Sequence, residues 1–289
     1  MPETVLVTGA TGFIGRRLMS ALGAAGMRAV GASRANGDIA AGPLAVEAVD
    51  RVVHLAGRSF VPDSWSAPHE FYRVNVLGTI SVLELCRLRG IPLTYVSSYV
   101  YGVPDALPIA EEHPRRPLNP YGHSKILAED AVRYYQAAFG VSATIVRPFN
   151  VYGGGQDVRF LVPTLIGQAI DPAVSAIVVR DLRPRRDFLH VDDLVALLVA
   201  TVSQPSSGVY NAGSGASIAI RRLVDEINGL LPEAKPVRER GEARRDEVLD
   251  VVADVSRAAR TFGWTPRVSL ADGIRETVAW MRAHAAPVA

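Results

Sequence analysis

Short unbroken apolar runs alternate along this chain with longer stretches in which apolar residues recur every three or four positions. Runs such as Val5-Leu6-Val7 have the length of strands buried on both faces, and the longer stretches have the rhythm of helices packed over them. Strands are predicted at Thr4–Val7, Arg28–Ala32, Arg51–Leu55, Leu93–Ser98, Ala143–Val146 and Val209–Gly213. Helices are predicted over Phe13–Ala25, over the stretch carrying Phe71, Val74, Leu77, Ile80, Leu83, Leu85 and Leu88, over Tyr121–Ala138, and over Asp192–Val202. Asn119-Pro120 is the start signal of the third. The alternation predicts an α/β fold, a doubly wound parallel sheet of the Rossmann type. The second crossover is short, with at most a small helix over Leu44–Val49. Arg58–Pro68 and the proline-rich Pro104–Pro120 read as loops.

Past residue 155 the alternation loosens. Phe160–Ala169, Ile218–Leu230, Ser256–Thr261 and Leu270–Ala285 read as helices and Ala176–Val179 as a strand, predicting a smaller C-terminal α/β cap. Residues 1–155, with a return segment at 186–212, would form the dinucleotide-binding domain. Residues 156–289 would form mainly the substrate-binding one.

Composition removes several alternatives. A formal charge of +2 with dispersed basic residues leaves no nucleic-acid surface. The basic run Arg180–Arg186 is broken by Asp181 and followed by Asp187, which suits a small anion. The single cysteine, Cys86, allows no intrachain disulfide or cysteine metal cluster and suits a reducing cytoplasm. No metal site is expected. No apolar run approaches membrane-spanning length, and a glycine motif beginning at residue 8 argues against a signal peptide.

That motif, Thr8-Gly9-Ala10-Thr11-Gly12-Phe13-Ile14-Gly15, joins the first strand to the first helix, the order a dinucleotide pyrophosphate needs. Gly9 would give the sharp turn, Gly12 the close approach of phosphate to backbone, and Gly15 the close packing of helix on sheet. The second strand ends at Ser33-Arg34, where an acidic residue would prefer a free ribose hydroxyl. A hydroxyl beside a guanidinium suits a 2′-phosphate, so NADP is favoured over NAD. Asp38-Ile39 suits either the adenine edge or a plain loop. Leu55-Ala56-Gly57 offers the small side chains needed where a cofactor crosses the sheet edge, whereas His54 reads as a core histidine.

Tyr121 and Lys125 lie one turn apart on one helix face. An adjacent ammonium favours an ionised phenol, which can pass a proton to or from a carbinol oxygen while hydride moves at the same carbon. Ser97 or Ser98, at the preceding strand end, would hydrogen-bond that oxygen.

These motifs carry a family resemblance. His-Leu-Ala-Gly at 54–57, Asn-Val-Leu-Gly-Thr at 75–79 and Ser-Ser-Tyr-Val-Tyr-Gly at 97–102 join the glycine turn. Asn-Pro-Tyr-Gly-His-Ser-Lys at 119–125, Arg-Pro-Phe-Asn-Val-Tyr-Gly at 147–153 and Arg-Asp-Phe-Leu-His-Val-Asp-Asp at 186–193 follow. Together they resemble the extended short-chain dehydrogenase/reductases of the nucleotide-sugar epimerase/dehydratase group.

The resemblance implies Tyr121 as acid/base, Lys125 as its electrostatic partner and ribose ligand, and a strand-end serine as third member. Anchoring on the strand selects Ser98 and anchoring on Tyr-Gly selects Ser97; Ser98 is taken. It implies further cofactor contacts at Asn75 and Pro148, and substrate contacts at Asn150, Arg186, Arg244 and Glu247 beside Ser98 and Tyr121. Neither Ser98-Tyr99 nor Tyr99-Val100 supplies the acidic pair of the sugar dehydratases, so dehydration is disfavoured. Gly-Ala-Ser-Arg at 31–34, Ser-Phe-Val-Pro-Asp-Ser-Trp at 59–65 and Arg-Arg-Asp-Glu-Val at 244–248 tilt towards the GDP-4-keto-6-deoxymannose reductase branch, hence an NADPH-dependent 4-ketoreductase. His190-Val191-Asp192-Asp193 is equally typical of NAD-dependent UDP- or dTDP-sugar 4-epimerases. A non-catalytic NADP sensor is disfavoured because both Tyr121 and Lys125 are present. Relatives suggest a homodimer packed through the helices at 71–89 and 123–138.

Overall fold

Val5, Leu6 and Val7 are fully buried because the strand they form lies inside a sheet covered on both faces. In this computed structural model, which describes residues 2–42, 44, 46, 48–242 and 247–284, six parallel strands make that sheet. They are β1 (Thr4–Thr8), β2 (Arg28–Ala32), β3 (Arg51–His54), β4 (Leu93–Val96), β5 (Ala143–Pro148) and β6 (Gly208–Ala212), in the order β2-β1-β3-β4-β5-β6.

Helix α1 (Phe13–Ala24) follows β1, and the loop after β3 holds α2 (Val61–Ser66) and α3 (Pro68–Tyr72). Then come α4 (Gly78–Arg89), α5 (Pro120–Phe139), α6 (Leu161–Ile170), α7 (Val191–Ser203), α8 (Ile220–Asn228), α9 (Ser256–Phe262) and α10 (Leu270–His284). Leu18 and Leu22 of α1 and Leu194, Leu197 and Leu198 of α7 fill one face of the sheet. Val82, Leu83 and Leu85 of α4 and Ala128 and Val132 of α5 fill the other. This is the doubly wound sheet expected, with β6 and α7 supplied by the return of the chain.

The cap has its own core. Val162, Leu165 and Ile166 of α6 meet Leu223, Val224 and Ile227 of α8 and Ile274 and Val278 of α10. Short strand pairings brace it, Ile177–Val179 with Val237–Glu239 and Arg185–Arg186 with Ile218–Ala219. Asn150–Tyr152 pairs with Phe188–His190 where the chain crosses between the two halves.

Four details differ from the sequence pattern. The segment 58–68 contains α2, whose first turn takes Pro62 without loss because that position needs no amide donor. The helix through Asn75 is interrupted by a π turn at Arg73–Leu77, which hydrophobic spacing does not reveal. β4 stops at Val96, although the Ser97 N–H still donates to the Val146 carbonyl at 2.8 Å, and Ser98 lies beyond the ladder. Finally, α9 does not join the cap: Ala258 and Trp264 are buried in the core under the main sheet, and the Trp264 indole donates to the Asp193 carbonyl at 2.9 Å. Ala45 and Glu47, within the small helix expected at 44–49, lie outside the described residues.

Candidate active site

The turn after β1 sets the geometry. Gly9 has φ of +70°, in the left-handed region, and a Cβ there would lie 2.9 Å from the Ala56 nitrogen. A Cβ on Gly15 would lie 2.2 Å from the Gly9 carbonyl oxygen. Only glycine fits either position, so α1 comes down tightly against the loop after β3. Gly12 begins α1 with no side-chain cap, leaving the first-turn N–H groups without acceptors in the helix. Gly9, Gly12, Phe13, Ile14 and Gly15 line an open cleft of about 830 Å³. It lies at the junction of β1 with β2 and β3, where the strand order reverses and open α/β sheets bind ligands.

Ser98, Tyr121 and Lys125 line the same cleft. Beyond β4 the two serines part company. The Ser97 hydroxyl donates inward to the buried Glu129 carboxylate at 2.6 Å. Ser98 Oγ is buried with no hydrogen-bond partner among the described residues, so it is the hydroxyl left open to a ligand.

Tyr121 is placed by the start of α5, where the Asn119 side chain accepts the Gly122 N–H at 2.8 Å. Burial raises its phenol pKa, and the adjacent Ser98 hydroxyl offsets part of that rise without forming a completed hydrogen bond. The buried Phe71 ring meets the Tyr121 ring edge-on at 6.2 Å. Lys125 Nζ donates to the Val96 carbonyl at 2.7 Å and sits 4.6 Å from the Tyr95 ring centroid. Burial pulls its pKa down to about 7, against the opposing pull of Glu129. His54 is buried with Thr8 Oγ1 2.7 Å from Nδ1 and Thr79 Oγ1 3.1 Å from Nε2, and burial lowers its pKa to about 3. It is a neutral core histidine.

Arg34, Leu55, Gly57, Pro148 and Asn150 also line the cleft. Arg34 is exposed at the end of β2, its carbonyl accepting the Gly37 N–H at 3.1 Å and its charge contributing to the lowered Asp38 pKa. Asn150 is tethered by its amide, which donates to the Asp187 carbonyl at 3.2 Å.

Other expected contacts lie off the cleft wall. Thr11 uses its carbonyl to accept the Arg16 guanidinium, and Ser33 caps the single turn Arg34–Asn36. The Asp38 carboxylate accepts the Ala40 N–H at 3.0 Å and pairs with Arg73, both of which lower its pKa. Ile39 packs over Gly78, and the Ala56 N–H donates to Thr8 Oγ1. Asn75 spends its amide on the Arg58 backbone and on Ser124 Oγ at 2.9 Å, pinning the loop after β3 to α5. Arg186 and Glu247 are joined to each other, and Arg186 also holds the Val248 carbonyl at 2.6 Å. Arg244 lies outside the described residues.

The structure adds wall residues that the sequence pattern did not single out. Tyr99 and Phe149 lie 5.3 Å apart, ring to ring, and Arg159 lies 4.2 Å over Phe60 while pairing with Asp63. Glu129 was also missed, although its place one turn after Lys125, on the face carrying Tyr121, was a readable signal.

The chain is similar to several known proteins. The NAD dependent epimerase/dehydratase family profile matches residues 5–213. GDP-6-deoxy-D-mannose reductase of Pseudomonas aeruginosa is 31% identical, over 95% of this chain and 96% of that protein. UDP-glucose 4-epimerase of Azospirillum brasilense is 32% identical, over 96% of this chain and 92% of that protein. The structure of RMD from Pseudomonas aeruginosa complexed with NADPH superposes with a TM-score of 0.88 at 29% identity, covering 98% of each chain. MoeE5 in complex with UDP-glucose and NAD gives a TM-score of 0.89 at 30% identity, covering 98% of this chain and 100% of that one.

Proposed function

Because this chain belongs to the NAD dependent epimerase/dehydratase family and is an extended short-chain dehydrogenase/reductase, we propose that it is an NADPH-dependent 4-ketoreductase of an NDP-4-keto-(6-deoxy)hexose. The observation that carries the reading is a single cleft holding Ser98, Tyr121 and Lys125 together with the open first turn of α1. The residues fit a nicotinamide dinucleotide: the glycine cradle admits no side chain, and the buried Ser98 hydroxyl lacks a partner. When bound, that cofactor supplies the hydride.

The first-turn N–H groups of α1 would take its diphosphate, and Arg34 the 2′-phosphate. Ser98 donates a hydrogen bond to the sugar carbonyl, which orients it and stabilises the charge that develops on oxygen. Tyr121 gives its phenolic proton to that oxygen, and the Lys125 ammonium stabilises the phenolate left behind. Asn150, Arg186, Arg244 and Glu247 would hold the sugar nucleotide, once the Arg186–Glu247 pair has exchanged partners.

The second reading is a 4-epimerase that keeps NAD bound throughout its cycle, favoured by His190-Val191-Asp192-Asp193 and by the epimerase relatives. Loss of NADPH absorbance with an NDP-4-keto-6-deoxyhexose tests the first. Tightly bound NAD in the purified protein, with interconversion of 4-epimers and no net cofactor consumption, would replace it with the second. A homodimer is part of the reading. Leu88 on α4 and Leu127, Tyr134 and Phe139 on α5 are exposed, and light scattering should find twice the chain mass. Among the described residues no helix is long and apolar enough to cross a membrane.

A further inference from the structure

Directly beneath the site lies a buried ion pair that the chemistry above leaves unused. Glu129 is 0% exposed and Arg147, at the end of β5, 1%. Arg147 Nε donates to Glu129 Oε1 at 2.9 Å and Nη2 donates to Oε2 at 2.6 Å, in the two-pronged geometry that fixes both side chains. The Arg147 Nη1 group donates to the Tyr101 hydroxyl and the Glu111 carbonyl, both at 3.0 Å. The remaining capacity of Glu129 Oε1 takes the Ser97 hydroxyl. Replacing such a pair by apolar residues is often no less stable, so stability alone does not account for it.

We propose that Glu129 is a positioning residue for the active site, acting through Ser97 and Lys125. By holding the Ser97 hydroxyl inward it sets the strand end so that Ser98, the next residue, presents its hydroxyl to the cleft. One turn from Lys125 on α5, it is the carboxylate whose charge opposes the burial of that ammonium, which otherwise meets the Val96 carbonyl and the Tyr95 ring, with neutral His54 also acting on it from the sheet and the Tyr121 phenol one turn earlier on α5. Facing Glu129 are Arg147 on β5, Arg115 at 3.6 Å from the preceding loop and Arg133 at 3.8 Å on α5. The carboxylate thus balances the positive charge gathered under the site and helps keep Lys125 protonated. This inference rests on the assignment of Lys125 as a cofactor ligand.

NADPH binding by fluorescence titration between pH 6 and 9 tests it without needing the sugar substrate. In the wild type, affinity falls as Lys125 loses its proton. In Glu129→Gln that fall moves toward acid by about one pH unit, a tenfold loss of affinity on the alkaline side. Glu129→Gln/Arg147→Met, which removes both halves of the buried pair together, should show a displaced profile with native circular dichroism. Profiles superimposable on the wild type's in a folded variant would overturn the charge role. Ser97→Ala should lower kcat at least fivefold with KM unchanged, and Ser97→Thr should restore it. Unchanged kcat in Ser97→Ala would overturn the positioning role. A wild type that binds neither NADPH nor NADH, or binds its cofactor independently of pH, would instead overturn the assignment of Lys125.

Discussion

The two walls of the cleft are finished to different degrees. On the sheet side, polar groups stand short of partners: Ser98 Oγ has none, Lys125 has no ion pair among the described residues, and the α1 first turn is uncapped. On the cap side they are matched. Arg159, on the wall, holds Asp157 and Asp63; behind the wall Arg186 holds Glu247, and the buried Asp187 carboxylate accepts the Ser214, Gly215 and Ala253 N–H groups and the Ser214 hydroxyl. Unpartnered buried groups cost stability until a ligand completes them. The sheet wall is therefore arranged to take a ligand, whereas the cap wall must give up existing bonds to take one. Cofactor binding should add bonds with little rearrangement, and substrate binding should exchange them.

The sharpest break of that contrast is Tyr121→Phe, which removes only the phenolic hydroxyl. It should lower kcat about 10²–10⁴-fold, the usual range for a lost general acid, with NADPH affinity unchanged in a titration. Near-normal turnover would remove the chemistry from the sheet wall.

Next in size is Lys125→Met. Taking out a buried ammonium should raise the melting temperature of the cofactor-free protein by a few degrees at pH 6 while weakening NADPH binding, the trade expected of a strained functional group. The sign follows from the pKa. With its folded value near 7 and its ordinary value at 10.5, Lys125 binds fewer protons folded than unfolded between those limits. Its penalty is complete below pH 7 and is relieved as pH rises towards 10.5. His54 acts alike between about 3 and 6.5, so acidification through that window destabilises the fold. Melting curves against pH should show the alkaline gain in the wild type and not in Lys125→Met.

Smaller effects refine the picture. Arg34→Ala should weaken NADPH about tenfold or more, the worth of a charged hydrogen bond, and leave NADH binding as it was. Equal losses for both cofactors would place Arg34 elsewhere than at the 2′-phosphate. Glu247→Gln, on the cap side behind the wall, should change the substrate KM by a few-fold and leave NADPH affinity untouched. A matching change in NADPH affinity would mean the two walls are not independent.

Much of the sheet wall was legible because its constraints are local. A glycine that must turn, a strand that must be apolar and a helix that must start at Asn119-Pro120 each write a short pattern into adjacent residues. The π turn around Asn75, the exclusion of α9 from the cap and the inward turn of Ser97 depend on residues far apart in the chain. Ser97 faces Glu129, and Trp264 faces Asp193; neither spacing repeats. For the same reason the choice between Ser97 and Ser98 stayed open in the sequence: both are strand-end hydroxyls, and only the carboxylate on a distant helix separates them.

The contact between Gly15 and the Gly9 carbonyl has a consequence for how this protein can change. Not even a methyl group can be added there, so variation has no grip on the proposed seat of the diphosphate. On the proposed reading, any drift between one dinucleotide and the other would be made at the rim, around Ser33 and Arg34, where a side chain can be exchanged without disturbing the floor beneath it.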